Sequence, residues 1–341
     1  MTLKEAYAPY FKIGSSVSRA NLDNPLRIQL LKEQFNSMTC ENDMKPMFFM
    51  DTEENLAHPE KYDRSPAVRF DIAKRYLDFA KENGIALRGH TLAWHGQTPR
   101  WFFHENYNEN GPFASRELIL ERLENYIHSV LDFVQTEYPG VVYAWDVFNE
   151  IIDEGNFRIS HWSHLVGEDF FIKAFEYARK YAAPGVKLFY NDYECYAPWK
   201  LNYICEHVLK PLMERGLVDG MGMQSHLLMD HPTKEEYENA IRTYGALGLS
   251  LHVTELDIHI HDDSDEGQQA LAERYREIFT LLASAKKNGI ANVESVTLWG
   301  LDDADSWLSF FRREKSHPLL FHNDTEPKPA YYAVLKVPSE I

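Results

Sequence analysis

The sequence predicts an α/β fold closed into a (β/α)8 TIM barrel, and three observations carry that prediction. A strand-like run followed by a helix-like run occurs eight times along the chain. The first and last strand-like runs begin at residues 11 and 295, which leaves about 41 residues per unit, the size of a βα repeat with loop insertions. None of the runs has the look of a protected sheet edge, so closure accounts for them better than an open sheet.

The strand-like runs are 11–17 (FKIGSSV), 37–42 (SMTCEN), 86–94 (ALRGHTLAW), 142–150 (VYAWDVFNE), 187–192 (KLFYND), 220–226 (GMGMQSH), 250–257 (SLHVTELD) and 295–300 (SVTLWG). Most begin apolar and end polar or aromatic. Segments of helical periodicity lie between them, at 65–83, 115–138, 168–182, 199–215, 233–247 and 266–288, with charges gathered on one face. Gly84, Gly216 and Gly289 follow three of these, where helix C-caps belong. The first turn, Gly14-Ser15-Ser16, lacks the glycine spacing that cradles a dinucleotide phosphate.

A length of 341 residues by itself suggests two domains, but the repeat pattern assigns residues 1–341 to a single catalytic barrel domain. The 44% hydrophobic content supplies a sizeable core. With 52 acidic and 35 basic residues the net charge is −17, which repels nucleic-acid backbones and anionic membranes, so neither is expected as a partner. Aromatic residues make up 13%, too many for a disordered acidic polymer. Cys40, Cys195 and Cys205 form neither a disulfide framework nor a metal motif and read as reduced, mostly buried thiols. No signal peptide or membrane-length apolar run is visible, so the simplest reading is cytoplasmic. A trimmed secreted chain would look the same.

In such a barrel the active site lies at the C-terminal ends of the strands. Two carboxylates there stand out. Glu150 closes WDVFNE and Glu255 lies near the end of HVTELD, on strands four and seven, which face each other across an eight-stranded barrel. Facing carboxylates perform glycoside cleavage, one protonating the leaving oxygen and the other working at the anomeric carbon. A lone strand-end Glu is most often only a solvated residue. These two are accompanied at other strand ends by Asn, His, Gln and Trp, which favours chemistry. Trp94, Trp299 and Trp307 lie where indoles can pack on sugar rings, whereas Trp145 reads as core and Trp162 as loop support. His259 and His261, followed by Asp262 and Asp263, imitate a ligand set but lie in a solvated loop, so neither a metal nor a cofactor is expected.

Nine stretches in order extend the pattern over nearly the whole chain. They are MTCENDMKP (38–46), RGHTLAWHGQTPRWF (88–102), WDVFNE (145–150), RISHW with Gly167 (158–167), FYNDY (189–193), GMGMQSHL (220–227), HVTELD (252–257), LWGLDDADSWL (298–308) and PLLF with PKPAYYAV (318–334). Together they resemble glycoside hydrolase family ten, the endo-1,4-β-xylanases, whose fold is a (β/α)8 barrel. The resemblance implies that Glu150 is the general acid/base and Glu255 the nucleophile of a retaining double displacement. It places Glu41, Asn42 and Lys45 on the glycone sugars, and His90, Trp94, Gln97 and Asn149 around the cleaved sugar. Gln224 and His226 then stand beside the nucleophile, Asp257 behind His226, Trp299 and Trp307 as stacking walls, and Tyr193 on the leaving-group side. Phe148 departs from the family, which commonly has a small β-branched residue there, and is expected to alter packing rather than roles. The implied substrate is xylan or xylo-oligosaccharide. With no leader and no second module in view, imported short oligomers are expected over polymer.

Overall fold

The computed structural model describes residues 1–341. Its principal strands are β1 (Lys12–Val17), β2 (Ser37–Cys40), β3 (Ala86–Trp94), β4 (Val142–Asn149), β5 (Lys187–Asp192), β6 (Gly220–Met223), β7 (Ser250–His259) and β8 (Asn292–Leu298). The helices used below are α1 (Pro25–Gln34), α2 (Asp71–Asn83), α3 (Arg116–Glu137), α4 (Phe170–Tyr181), α5 (Lys234–Ala246), α6 (Asp265–Lys287), α7 (Leu308–Arg312) and α8 (Pro329–Glu340). The chain gathers into two compact units. One comprises Met1–Glu41, Tyr193–Asn202 and Gly220–Ile341, the other Asn42–Asp192 and Tyr203–Asp219.

In the first unit five strands run parallel in the order β2–β1–β8–β7–β6. β7 is buried along nearly its whole length, as a parallel strand covered on both faces must be, and its sequence SLHVTELDIH is correspondingly rich in apolar residues. Two of its helices, α5 and α6, start on side-chain caps that satisfy orphan backbone donors. Ser264 Oγ accepts from Gly267 N at 3.2 Å ahead of α6, and Thr233 and Glu236 form a reciprocal capping box ahead of α5. The amino-terminal segment is tied to the carboxy-terminal helix where Tyr7 donates its hydroxyl to the Val334 carbonyl at 2.8 Å.

In the second unit β3, β4 and β5 run parallel, with Trp94 beside Asn149 and Asn149 beside Asn191 at their ends. α3 begins on Ser115, whose Oγ accepts from Leu118 N. Trp145 is buried against Phe49, as its position inside a strand predicts.

The registers contain three irregularities that matter for the site. Between Val253 and Leu256 β7 advances three residues while β8 advances two, so β7 carries an extra residue around Thr254 and Glu255. β3 does the same against β4 between His90 and Ala93. β4 carries an extra residue against β5 between Asp146 and Phe148. A bulge re-aims the side chains that follow it, and these three immediately precede or contain Trp94, Asn149 and Glu255.

Several expected boundaries shift for identifiable reasons. The helix expected over 65–83 begins only at Asp71, because the preceding segment pairs with the backbone around residue 50: Asp51 N donates to Ala67 O and Arg69 N to Phe49 O. The helix expected over 199–215 contains a π-helical stretch, Ile204–Leu209, just before Pro211. Proline there has no N–H to donate and its ring crowds the carbonyl four residues back, which a widened turn relieves. The run expected over 220–226 breaks at Ser225, where φ is +64°, and resumes as a short strand, His226–Leu228, paired with Asp257–His259. Gly84 ends α2 in the left-handed region, as expected.

Candidate active site

The second unit presents Glu150 directly after β4. Its backbone lies in the left-handed region at φ +57°, uncommon for a residue with a Cβ, and its N–H donates to Asn191 O at 3.0 Å. The turn interrupts strand alternation between Asn149 and Glu150. Trp94 Nε1 donates to Glu150 Oε2 at 3.0 Å. Trp94 is itself held through its carbonyl, which accepts from Thr98 Oγ1 at 2.6 Å and Trp162 Nε1 at 3.3 Å. Trp162 is buried, but in a short helix, His161–Leu165, and not in the loop expected for it. Phe148 packs edge-on against it, with ring centres 5.7 Å apart, and against Phe170 at 5.0 Å. Phe148 thus forms part of the aromatic backing behind Trp94.

A polar group lies against the same indole. Lys45 Nζ is 4.9 Å from the centre of the Trp94 ring and donates to Asn42 Oδ1 at 3.0 Å, and Gln97 Nε2 donates to the same oxygen at 3.3 Å. Asn42, Lys45, Trp94, Gln97 and Glu150, which are spread over 109 positions of sequence, thus form one connected set. Asn149 Oδ1 accepts from Asn191 Nδ2 at 3.0 Å. His90 is fixed through Nδ1, 2.9 Å from Asp146 Oδ2, and Arg88 grips both oxygens of the same carboxylate. Burial alone would raise the Asp146 carboxyl, but Arg88 and His90 hold it below the usual carboxylate range.

The first unit presents Glu255, buried, with its Oε2 at 3.3 Å from His226 Nε2. The other ring nitrogen, Nδ1, is 2.9 Å from Asp257 Oδ1, and Trp307 Nε1 donates to Asp257 Oδ2 at 2.9 Å. Trp307 and Trp299 flank the imidazole, with centres 4.9 and 6.4 Å from it. Gln224 is buried and its carbonyl accepts from Glu255 N at 2.9 Å. Glu41 follows β2, with its N–H on Val17 O at 3.1 Å, and Tyr193 carries Lys200 Nζ over its ring at 3.4 Å.

His226 is the most perturbed group of this half. Burial opposes its charge, but Asp257 and Glu255 outweigh burial and lift it to about 10. The imidazole is therefore a cation at neutral pH, donating from both nitrogens. Because the folded value lies above the unfolded one of about 6.5, the stability this cation contributes is complete below about pH 6.5. It is lost as pH rises through 10. We expect the ring nitrogens of His226 to show no titration between about pH 7 and 9 by 15N NMR. In Asp257→Asn, with one carboxylate charge gone, the midpoint should fall. A wild-type midpoint below about pH 8 would refute the assignment.

Asp146, Asn191 and Arg158 belong to the site without a role assigned from sequence. Arg158 Nε donates to the Glu150 carbonyl at 3.2 Å and pairs with Asp153 at 2.8 Å. The available signal for Asp146 was an acid between Trp145 and Val147 in a strand buried on both faces, a position an acid occupies only when paired. No group of three or more His, Cys, Asp and Glu side chains is arranged to hold a metal ion. His259, expected in a solvated loop, is instead the last residue of β7, largely buried, and holds the following loop through Ser316 Oγ at 2.9 Å and Glu314 at 3.2 Å.

Residues 2–337 match the sequence profile of Glycosyl hydrolase family 10. Endo-1,4-beta-xylanase B of Butyrivibrio fibrisolvens is 63% identical over 336 residues, which cover 98% of this chain and 53% of that protein. A bifunctional endo-1,4-beta-xylanase of Ruminococcus flavefaciens is 39% identical, with 98% of this chain and 34% of that one covered. The chain thus spans about half of the first relative's length and a third of the second's. Among solved structures, the N-terminal xylanase modules of Clostridium thermocellum complexed with xylohexaose superpose with a TM-score of 0.91 at 35% identity, covering 99% of this chain and 68% of that one. An intracellular xylanase of Thermoanaerobacterium saccharolyticum superposes with a TM-score of 0.86 at 35% identity, covering 97% of both chains. These likenesses establish the (β/α)8 barrel that the repeats predict.

Proposed function

The chain belongs to glycosyl hydrolase family 10, and from that premise we propose that it is a retaining endo-1,4-β-xylanase, with residues 1–341 working as one catalytic domain. The observation that carries the reading is the pair of strand-end carboxylates, each fixed by a nitrogen donor of its own. Trp94 Nε1 holds Glu150 and His226 Nε2 holds Glu255. A carboxylate that must attack an anomeric carbon has to be ionised and aimed. The His226 cation supplies the opposite charge, and Asp257 fixes the ring that supplies it.

In the first step a Glu255 oxygen bonds to the anomeric carbon, the glycosidic bond breaks and Glu150 gives its proton to the departing oxygen. In the second step Glu150, now a carboxylate, takes a proton from water, whose oxygen displaces Glu255. Two inversions leave the β configuration. Trp299 and Trp307 offer flat faces to the apolar C–H side of a sugar, and Asn42, Lys45, Gln97 and Asn149 offer partners to its hydroxyls.

The preferred substrates in this reading are short xylo-oligosaccharides rather than polymer. The likeness to a xylanase described as intracellular supports it. Turnover measured on xylotriose through xylohexaose and on soluble xylan, with proton NMR of the first products, tests both parts. We expect β-anomers to appear first and oligomers to be cut with the higher kcat/KM. An initial α-anomer would overturn the retaining mechanism, and faster cleavage of polymer would overturn the preference.

A further inference from the structure

Residues 308–316, LSFFRREKS, follow Trp307 directly and carry three cations, Arg312, Arg313 and Lys315, against the single anion Glu314. In a chain of net charge −17 this is a local reversal of sign. α7 begins immediately after Trp307 and is capped by Arg313, which lies in the left-handed region at φ +57°. Phe311 N donates to Trp307 O one turn back, and the Phe311 ring sits 4.7 Å from the Trp307 ring at 41°. Phe311 remains 63% exposed, so it prolongs the indole wall outward instead of filling the core.

The segment is held in place. Ser316 N donates to Ser309 Oγ at 3.1 Å, His317 N donates to Ile260 O at 2.9 Å, and His259 at the end of β7 engages both Ser316 and Glu314. β7 is the strand that carries Glu255 and Asp257. Burial and the Arg312 charge together hold His259, at the end of that strand, below its ordinary value. Arg312 and Arg313 are exposed, and their side chains form no hydrogen bond or ion pair. Exposed guanidinium groups follow directly on an aromatic wall that reaches the nucleophile's histidine. They match a carboxylate, which a guanidinium fork accepts through two parallel hydrogen bonds.

We propose that Arg312 and Arg313 form a carboxylate-recognising rim on the Glu255 side, which favours xylo-oligosaccharides bearing a uronic-acid branch over unbranched ones. The proposal rests on the xylanase reading above. Without such a rim the acidic chain would repel an acidic substrate.

The test compares kcat/KM on a neutral xylo-oligosaccharide and on the same oligomer with one glycone-side uronic-acid branch. The proteins are the wild type, Arg312→Gln/Arg313→Gln and Arg312→Lys/Arg313→Lys. The glutamine variant should lose about five- to tenfold on the acidic substrate, mainly in KM, and stay within about twofold on the neutral one. The lysine variant should recover part of the loss. About 0.5 M sodium chloride, where screening reaches a few ångströms, should erase most of the wild-type difference. Equal losses on both substrates, or no loss on the acidic one, would overturn the rim. A wild type that cut neither would overturn the xylanase reading and the rim with it.

Discussion

Glu255→Ala is expected to reduce kcat on an activated aryl β-xyloside by at least about 10⁴-fold, with the substrate still bound. Both steps of the double displacement run through this oxygen, so no leaving group, however good, restores the rate. The loss should be chemical and not structural. Glu255 is a buried side chain whose removal takes one partner from His226, but Asp257 remains 2.9 Å from the other ring nitrogen and keeps the imidazolium paired. The variant should therefore melt cooperatively, destabilised by about 1–3 kcal/mol for the lost charge-assisted hydrogen bond. Added azide supplies the diagnostic product. It enters on the face that the carboxylate has vacated and displaces the leaving group once, so the product is the α-xylosyl azide. A folded Glu255→Ala enzyme with near wild-type turnover would end the nucleophile assignment.

The parts of this molecule that were legible in its sequence are those that depend on local pattern. Eight apolar runs became eight strands because parallel strands buried on both faces need continuous apolar sequence, and SLHVTELDIH shows it most plainly. Ser115, Thr233 and Ser264 stand at the starts of helices because short oxygen side chains satisfy backbone donors there. The site residues were legible as chemical types at strand ends. Their aim was not. Strand alternation alone sets Asn149 and Glu150 on opposite faces, and what breaks it is an extra residue in β4 followed by a left-handed Glu150. No propensity marks that turn, since Glu does not favour the left-handed region, and the surrounding contacts impose it. Asp146 was hidden for a related reason. Its partner Arg88 is 58 positions away, and only the pairing of β3 with β4 brings the two together. Helix starts failed where a tertiary contact competed, as in residues 65–70, whose backbone pairs with the segment around residue 50 instead of continuing α2.

Removing Glu150 should produce a loss that depends on the leaving group, which distinguishes it from removing Glu255. In Glu150→Ala, hydrolysis of a xylo-oligosaccharide should fall by about 10²–10⁴-fold, because a sugar alkoxide departs only when protonated. With a dinitrophenyl leaving group protonation is unnecessary, so formation of the glycosyl-enzyme should proceed at close to its normal rate. Its hydrolysis lacks a base and becomes limiting. The intermediate then accumulates, and kcat and KM fall together while kcat/KM is nearly retained. Azide needs no base and should restore kcat, entering on the Glu150 side to give the β-xylosyl azide, the opposite anomer to that expected from Glu255→Ala. The structure argues that the variant folds. Asn191 holds residue 150 through its backbone N–H and Arg158 through its backbone carbonyl, and both contacts survive the substitution. Trp94 Nε1 loses its acceptor, and Glu150→Gln, which can keep an oxygen facing that nitrogen, serves as the control. Equal losses on both leaving groups, or azide without a β-azide product, would show that the proton comes from another residue.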